Sequence, residues 1–280
     1  MYNTFMSRSI RRVSCLQLST GENMPQNCAQ IESLFLVALK GQPDLIALPE
    51  VCHFRVSTTA RNVMEGAESL AGPFIQWLRG LAQTHQVAIL VGSFIEQSGD
   101  RCSNTSVFID ETGEILGTYR KMHLFDAIVD GRVLKESTYF DRGETPVVVH
   151  WRGLKIGLSI CYDLRFPELY RHYSRLGVHL FTIPASFTTP TGEAHWKALC
   201  RARAIENLCF VVAPNQVGAG AGGVDCYGHS LIIDPWGKVL AEGSSDQLSV
   251  SSAELDFGVL QAYRKKLPVL SHQHPFLKGV

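Results

Sequence analysis

LKIGLSICYDLRFPELYR, residues 154–171, changes its period half-way along. Residues 155–160 alternate apolar and small side chains with β-branched content, which predicts a buried strand. Cys161 stands where that strand stops. Pro167 suits a first helical position, and from Glu168 the apolar spacing is helical until Gly177 closes it. A cysteine at a strand-to-helix turn lies near unpaired backbone N–H groups and the positive end of a helix dipole. Both favour thiolate over thiol, and the same N–H groups can hold an oxyanion. Inert packing is the other reading of Cys161, because free cysteine is among the most buried residue types.

Working outward, residues 147–150 pair with this strand through Trp151-Arg-Gly153. Residues 179–185 and 208–213 read as further strands on either side of a helix over 192–207. Residues 227–241 form a hairpin turned by Asp234-Pro-Trp-Gly237, residues 248–255 close the strand series, and 258–265 are helix-like. Towards the N-terminus, residues 11–19 are a strand, 23–40 a helix, 65–85 a second helix and 87–95 a strand. Residues 44–50, DLIALPE, are a short apolar run that finishes on the carboxylate of Glu50. In open α/β layers the carboxyl ends of strands are where ligands collect, although a surface turn would also tolerate a glutamate. A hairpin of 105–110 and 114–119 around Glu111-Thr-Gly113 runs straight into Lys121, which is either solvated or functional. Residues 126–142 read as a polar, irregular loop carrying Glu136, and its length inside a compact domain favours a functional role. About twelve strands and five helices, with tight hairpins alternating with helical connections, predict an α/β fold with mixed sheets. Two such sheets packed face to face, with helices outside, would bury the apolar runs on both sides.

The 280 residues suit a single domain over 11–280 behind a flexible leader at 1–10, with no repeat or linker. Lys plus Arg and Asp plus Glu are 26 each, and this zero balance argues against a nucleic-acid or anionic-membrane surface. No apolar run approaches the roughly 20 residues of a membrane span. Eight cysteines are scattered without a CxxC, which reads as a reduced, cytoplasmic protein. Cys226 and His229 have the spacing of half a metal site, but no second pair accompanies them, so no metal is expected. Residues 218–223, GAGAGG, lack the strand-to-helix setting of a phosphate loop and read as a mobile loop.

Three strand ends together suggest chemistry. A thiol with an ordinary pKa of about 8.5 needs a base or a cation to become a nucleophile at neutral pH. Glu50 can take its proton if burial has raised the carboxyl pKa, and Lys121 supplies fixed positive charge for the thiolate and for a carbonyl oxyanion. The combination is a Cys-Glu-Lys acyl-transfer site.

LPE around Glu50, YRKMHLFD around Lys121 and SICYDLRFPELYR around Cys161 resemble the three signature stretches of the nitrilase superfamily of carbon–nitrogen hydrolases, over residues 11–270. Glu193-Ala-His-Trp196, Arg201-Ala-Arg-Ala-Ile-Glu-Asn207 and Tyr227-Gly-His-Ser230 resemble its Nit branch. The resemblance implies a four-layer α-β-β-α sandwich that assembles as a homodimer or higher homo-oligomer, needing no cofactor. It implies a small-molecule amide substrate: deaminated glutathione, giving 2-oxoglutarate and cysteinylglycine, or the 2-oxoglutaramate and 2-oxosuccinamate of the ω-amidases. A nitrile substrate, or a scaffold that has kept the fold without the chemistry, is the remaining reading. By position, Cys161 would be the nucleophile and Glu50 the general base. Lys121 would hold the oxyanion with the backbone N–H of Tyr162, and Glu136 would hold Lys121 or the deacylating water. Arg165 matches an arginine that grips a substrate carboxylate, with an ion pair to Asp163 or Glu168 as the alternative. Leu164 departs from the adjacent arginines of carbamoyl-amino-acid hydrolases and counts against carbamoyl substrates. His123, His195 and His229 either line the pocket or are structural.

Overall fold

In the computed structural model, which describes residues 9–55, 60–129, 131–219, 225–272 and 274, the chain builds two mixed sheets. The first half runs β1 (Ile10–Gln17), α1 (Met24–Leu39), β2 (Leu45–Ala47), α2 (Ala60–Glu65), α3 (Pro73–His85), β3 (Ala88–Ser98), β4 (Arg101–Ile109) and β5 (Ile115–Arg120). A hairpin of β6 (Asp126–Val129) and β7 (Arg132–Lys135) follows, then β8 (Phe140–Asp141). Next come β9 (Val148–Trp151), β10 (Leu154–Leu158), α4 (Pro167–Arg175), β11 (Leu180–Thr182), α5 (Thr189–Thr191) and α6 (Lys197–Asn207). The remainder is β12 (Phe210–Ala213), β13 (Val217–Ala219), β14 (Asp225–Tyr227), β15 (Leu231–Ile233), β16 (Val239–Glu242), β17 (Ser249–Asp256) and α7 (Phe257–Lys266).

The first sheet has the order β17-β1-β2-β3-β4-β5, with β8 beside β4, and the second the order β16-β15-β12-β11-β10-β9. In each, three parallel strands form the centre: β1, β2 and β3 in one, β10, β11 and β12 in the other. Alternation along the central strands shows why both faces are apolar. Leu45, Ala47, Ala88 and Leu90 join the cluster that continues into Leu158, Ile160 and Phe181 of the second sheet. Their neighbours Ile46, Leu48, Ile89 and Val91 pack on Ile31 and Phe35 of α1 and Leu78 of α3. Tyr170, Tyr173, Cys200 and Ala204 of α4 and α6 cover the second sheet in the same way. The layers are therefore helix, sheet, sheet, helix, the α-β-β-α arrangement that the resemblance implies. Burying each such large side chain contributes roughly 1.5–3 kcal/mol.

Local chemistry sets the element ends. Asn23 caps α1 by accepting the backbone N–H of Gln26, and Pro25 occupies the first turn, where no N–H is needed. Of the helix expected over 65–85 only the part from Pro73 forms, as α3 after Gly72, while the separate α2 ends at Glu65. Between them Glu68 pairs with the edge of β3, its N–H bonded to Ile95 O and its carbonyl to Gln97 N–H, which a helix would forbid. The segment 126–142 is likewise not irregular. Ile128 faces Val133 in the β6–β7 hairpin, and Gly131 supplies the positive φ of its turn. The leader at 1–8, residues 220–223 of the glycine run and the end of the C-terminal tail lie outside the described residues.

One close approach positions the loop after β2. A Cβ on Gly92, at a bulge in β3, would lie 2.0 Å from Leu48 O and 2.3 Å from Pro49 O. Only glycine lets that backbone pass, and the next residue is Glu50.

Candidate active site

Glu50 leaves the end of β2 on a backbone held by β3 and by the connection after β12. Ser93 Oγ accepts the N–H of Val51 at 2.8 Å, and Gln216 Nε2, from the segment between β12 and β13, donates to Glu50 O at 2.8 Å. The residue is 3% exposed and its carboxylate is surrounded by donors. Its Oε1 accepts Lys121 Nζ at 2.8 Å and Asn104 Nδ2 at 2.9 Å, while Oε2 accepts the backbone N–H of Ser186 at 2.8 Å. The Cys161 thiol faces this carboxylate closely enough to help hold its pKa down.

Lys121, the residue after β5, is 1% exposed. Its backbone N–H donates to Asn104 O at 2.9 Å, and its ammonium reaches Glu136 Oε2 at 2.9 Å. Glu136 opens a short 3-10 turn after β7, and its carboxylate accepts the N–H of Phe125 at 2.8 Å. One ammonium thus lies between two carboxylates.

Cys161 has φ +47°, in the left-handed region that disfavours a side chain, at the start of a 3-10 turn over Cys161–Arg165. Asp163 holds the turn. Fully buried, it accepts the N–H of Ile160 at 2.8 Å, the Tyr119 hydroxyl at 2.7 Å and the N–H of His123 at 3.0 Å. Such bonds offset the conformational cost of ~1–3 kcal/mol for a strained residue. His123 stacks on Phe166, with ring centroids 3.7 Å apart.

The electrostatics correct two expectations. Burial pushes the Cys161 thiol well up and the Glu50 charge adds to this, with Lys121 opposing, so the resting sulfur is a thiol rather than a thiolate. Helix α4 begins only at Pro167, beyond the 3-10 turn, and its dipole is too distant to compensate. For Glu50, the condition that burial raise its carboxyl pKa is not met. Burial does act that way, but the Lys121 ammonium with its hydrogen bond, the facing Cys161 thiol and the Asn104 amide outweigh it and hold the carboxyl low. Burial and then the Glu50 charge raise Glu136 despite Lys121. Lys121 is held well above its usual range: burial disfavours the charge, but Glu136 and Glu50 more than restore it. The resting set is a thiol, an ionised Glu50 and an ammonium, in which attack on a carbonyl and loss of the thiol proton to Glu50 can be one event.

Cys161 lines a small pocket that opens to solvent. Phe125, Tyr162 and Phe187 form aromatic walls, and Arg165, Thr188 and Thr191 a polar end. The Arg165 guanidinium lies over the rings of Phe187 at 5.2 Å and Tyr162 at 5.7 Å, and its Nη1 is 3.2 Å from His195 Nδ1. Among the described residues its contacts are these, not the ion pair with Asp163 or Glu168. A guanidinium with aromatic faces beneath it and one fork free suits a ligand carboxylate.

The structure therefore brings Glu50, Lys121, Glu136 and Cys161 together and sets Tyr162 and Arg165 on the pocket wall. His195 reaches the pocket through Arg165, whereas His123 is bonded to Asp163 and His229 to Glu242. Cys226 accepts a hydrogen bond from Arg55 at 3.1 Å, away from His229's partner. Asn104 and the N–H of Ser186 are absent from the expectations, and Asp163 enters them only as an alternative partner of Arg165, not as the residue that holds the Cys161 turn. Only the β4–β5 register, which sets Thr105 against Arg120 and so Asn104 near Lys121, carried a trace of the first.

The family model for carbon-nitrogen hydrolases matches residues 12–265. The deaminated glutathione amidase of Synechocystis sp. is 38% identical over 266 residues, 93% of this chain and 97% of that protein. The deaminated glutathione amidase of Dictyostelium discoideum is 34% identical over 278 residues, 96% of this chain and 95% of that one. The crystal structure of the C. elegans NitFhit protein matches with a TM-score of 0.88 at 32% identity, covering 96% of this chain and 66% of that chain.

Proposed function

The chain belongs to the carbon-nitrogen hydrolase family, and from that membership we propose that it is an amidase hydrolysing deaminated glutathione to 2-oxoglutarate and cysteinylglycine. It is a hydrolase of carbon–nitrogen bonds other than peptide bonds, acting on linear amides. The observation that carries the mechanism is the 2.8 Å pairing of Lys121 with Glu50 beside the Cys161 thiol.

The substrate's 2-oxo acid end binds with its carboxylate on Arg165, which brings the amide carbonyl to Cys161. As sulfur attacks, its proton passes to Glu50, and the new oxyanion is held by the Lys121 ammonium and the Tyr162 N–H. Glu50 then protonates the departing amine, leaving a thioester on Cys161. Water attacks the thioester with Glu50 again as base, and the free acid and the thiol are restored. Glu136 keeps Lys121 in place.

The protein acts as one domain spanning 11–280, in a reducing cytoplasm that the free cysteines suit, and as a homodimer. Leu176, at the end of α4, and Ile205 of α6 are each 45% exposed and support pairing through that helical layer. Among the described residues no helix is long and apolar enough to cross a membrane.

Comparing kcat/KM for deaminated glutathione and 2-oxoglutaramate in one assay tests the substrate. The larger value belongs to deaminated glutathione; the reverse order makes the protein an ω-amidase.

A further inference from the structure

Two glutamates share one buried ammonium, at 2.8 Å for Glu50 and 2.9 Å for Glu136, and as isolated side chains they are equivalent bases. Their remaining partners differ. Glu50 also accepts Asn104 Nδ2 at 2.9 Å and the N–H of Ser186 at 2.8 Å, while Glu136 accepts the N–H of Phe125 at 2.8 Å. Asn104 is 1% exposed on β4 and serves both halves of the pair, its amide donating to Glu50 and its backbone carbonyl accepting the N–H of Lys121. Its Oδ1 is buried with no hydrogen-bond partner among the described residues. Turning the amide round would satisfy nothing and would set that oxygen against a carboxylate, so the charge on Glu50 fixes its orientation.

We propose that Asn104 is a positioning residue that keeps Glu50 ionised and aimed as the base for Cys161, by giving it a second side-chain donor beside Lys121 that Glu136 lacks. The inference rests on the reading of Glu50 as that base. A hydrogen bond donated to a carboxylate favours its ionised form, and in a buried site the preference is large. The charged and titratable groups facing Glu50 are Lys121 and Cys161, with Glu136 on the other side of the ammonium. Without Asn104 the proton affinity of Glu50 rises towards that of Glu136, and the base becomes available only at higher pH.

The test is the pH dependence of kcat/KM for deaminated glutathione in the wild type, Asn104→Leu and Asn104→Ser. Leucine keeps the volume without the donor, and serine is too short to reach Glu50, so the second variant serves if the first does not fold. The acidic limb should move up by roughly one to two pH units in either variant. A limb that stays in place or moves down, whatever the loss of rate, overturns the role of Asn104. Glu50→Gln in the same series separates the premise from the inference. Wild-type turnover in Glu50→Gln removes Glu50 as the base altogether, whereas an inactive Glu50→Gln beside an unmoved limb removes Asn104 alone.

Discussion

His123 Nδ1 lies 2.7 Å from Asp163 Oδ1, so the residue two places after Lys121 is bonded to the residue two places after Cys161. The contact joins the segment after β5 of one sheet to the Cys161 turn after β10 of the other. With the bonds from Tyr119 and the Ile160 N–H it makes Asp163 the clasp that keeps ammonium and sulfur at a fixed separation.

Asp163→Asn keeps the shape but loses the charge and puts an amide N–H among donors. Removing one member of a buried charged network costs about 3–5 kcal/mol, and hydrogen bonds to charged groups are the strong ones. Urea unfolding should show a loss of that size, with kcat falling in parallel because the Cys161 turn relaxes. A variant as stable and as fast as the wild type would show that the clasp is incidental.

Arg165→Met should raise KM for amides carrying a 2-oxo acid by roughly 10–100-fold, the worth of a charge-assisted hydrogen bond of about 1.5–3 kcal/mol. A neutral amide of similar length should lose little, and kcat should hold for both. Steady-state kinetics with the two substrates check this, and equal losses would place Arg165 in the structure of the wall rather than in recognition.

Stability should fall in mild acid because of His53. Burial among Phe54, Phe74 and Phe94, opposed only by the bond to Gly66 O, pushes its pKa from 6.5 down to about 4. Between those two pH values the unfolded chain binds a proton that the folded protein refuses, so stability decreases as pH drops and levels off below about 4. The contribution is about 3 kcal/mol. Unfolding at pH 7 and pH 4.5 should show a smaller acid loss in His53→Gln than in the wild type; equal losses would mean that His53 is protonated in the fold.

Much of this was legible from residue types alone. The change of period at Cys161 marks a strand end and a helix start, and Glu50 and Lys121 each follow an apolar or alternating run. The two sheets follow from strands that are apolar on both faces, as Leu45 to Ala47 are. What escaped depends on register or on backbone. Asn104 has no motif, and its place near Lys121 comes from hydrogen-bond pairing between β4 and β5. The Ser186 N–H that meets Glu50 leaves no mark in a sequence. The state of the Cys161 thiol was misjudged because a local argument from a helix dipole omitted burial and the facing carboxylate, which outweigh it. The β6–β7 hairpin escaped as well, because Ala127-Ile-Val and Arg132-Val-Leu do not alternate apolar with polar and the polar residues around Gly131 read as an irregular loop.

The most direct measurement is mass-spectrometric assay of deaminated glutathione hydrolysis by the wild type and Cys161→Ala. Loss of the sulfur nucleophile should remove turnover, a fall of about 10⁴-fold or more, while the folded structure persists. Equal formation of 2-oxoglutarate and cysteinylglycine by both proteins would contradict a thioester on Cys161.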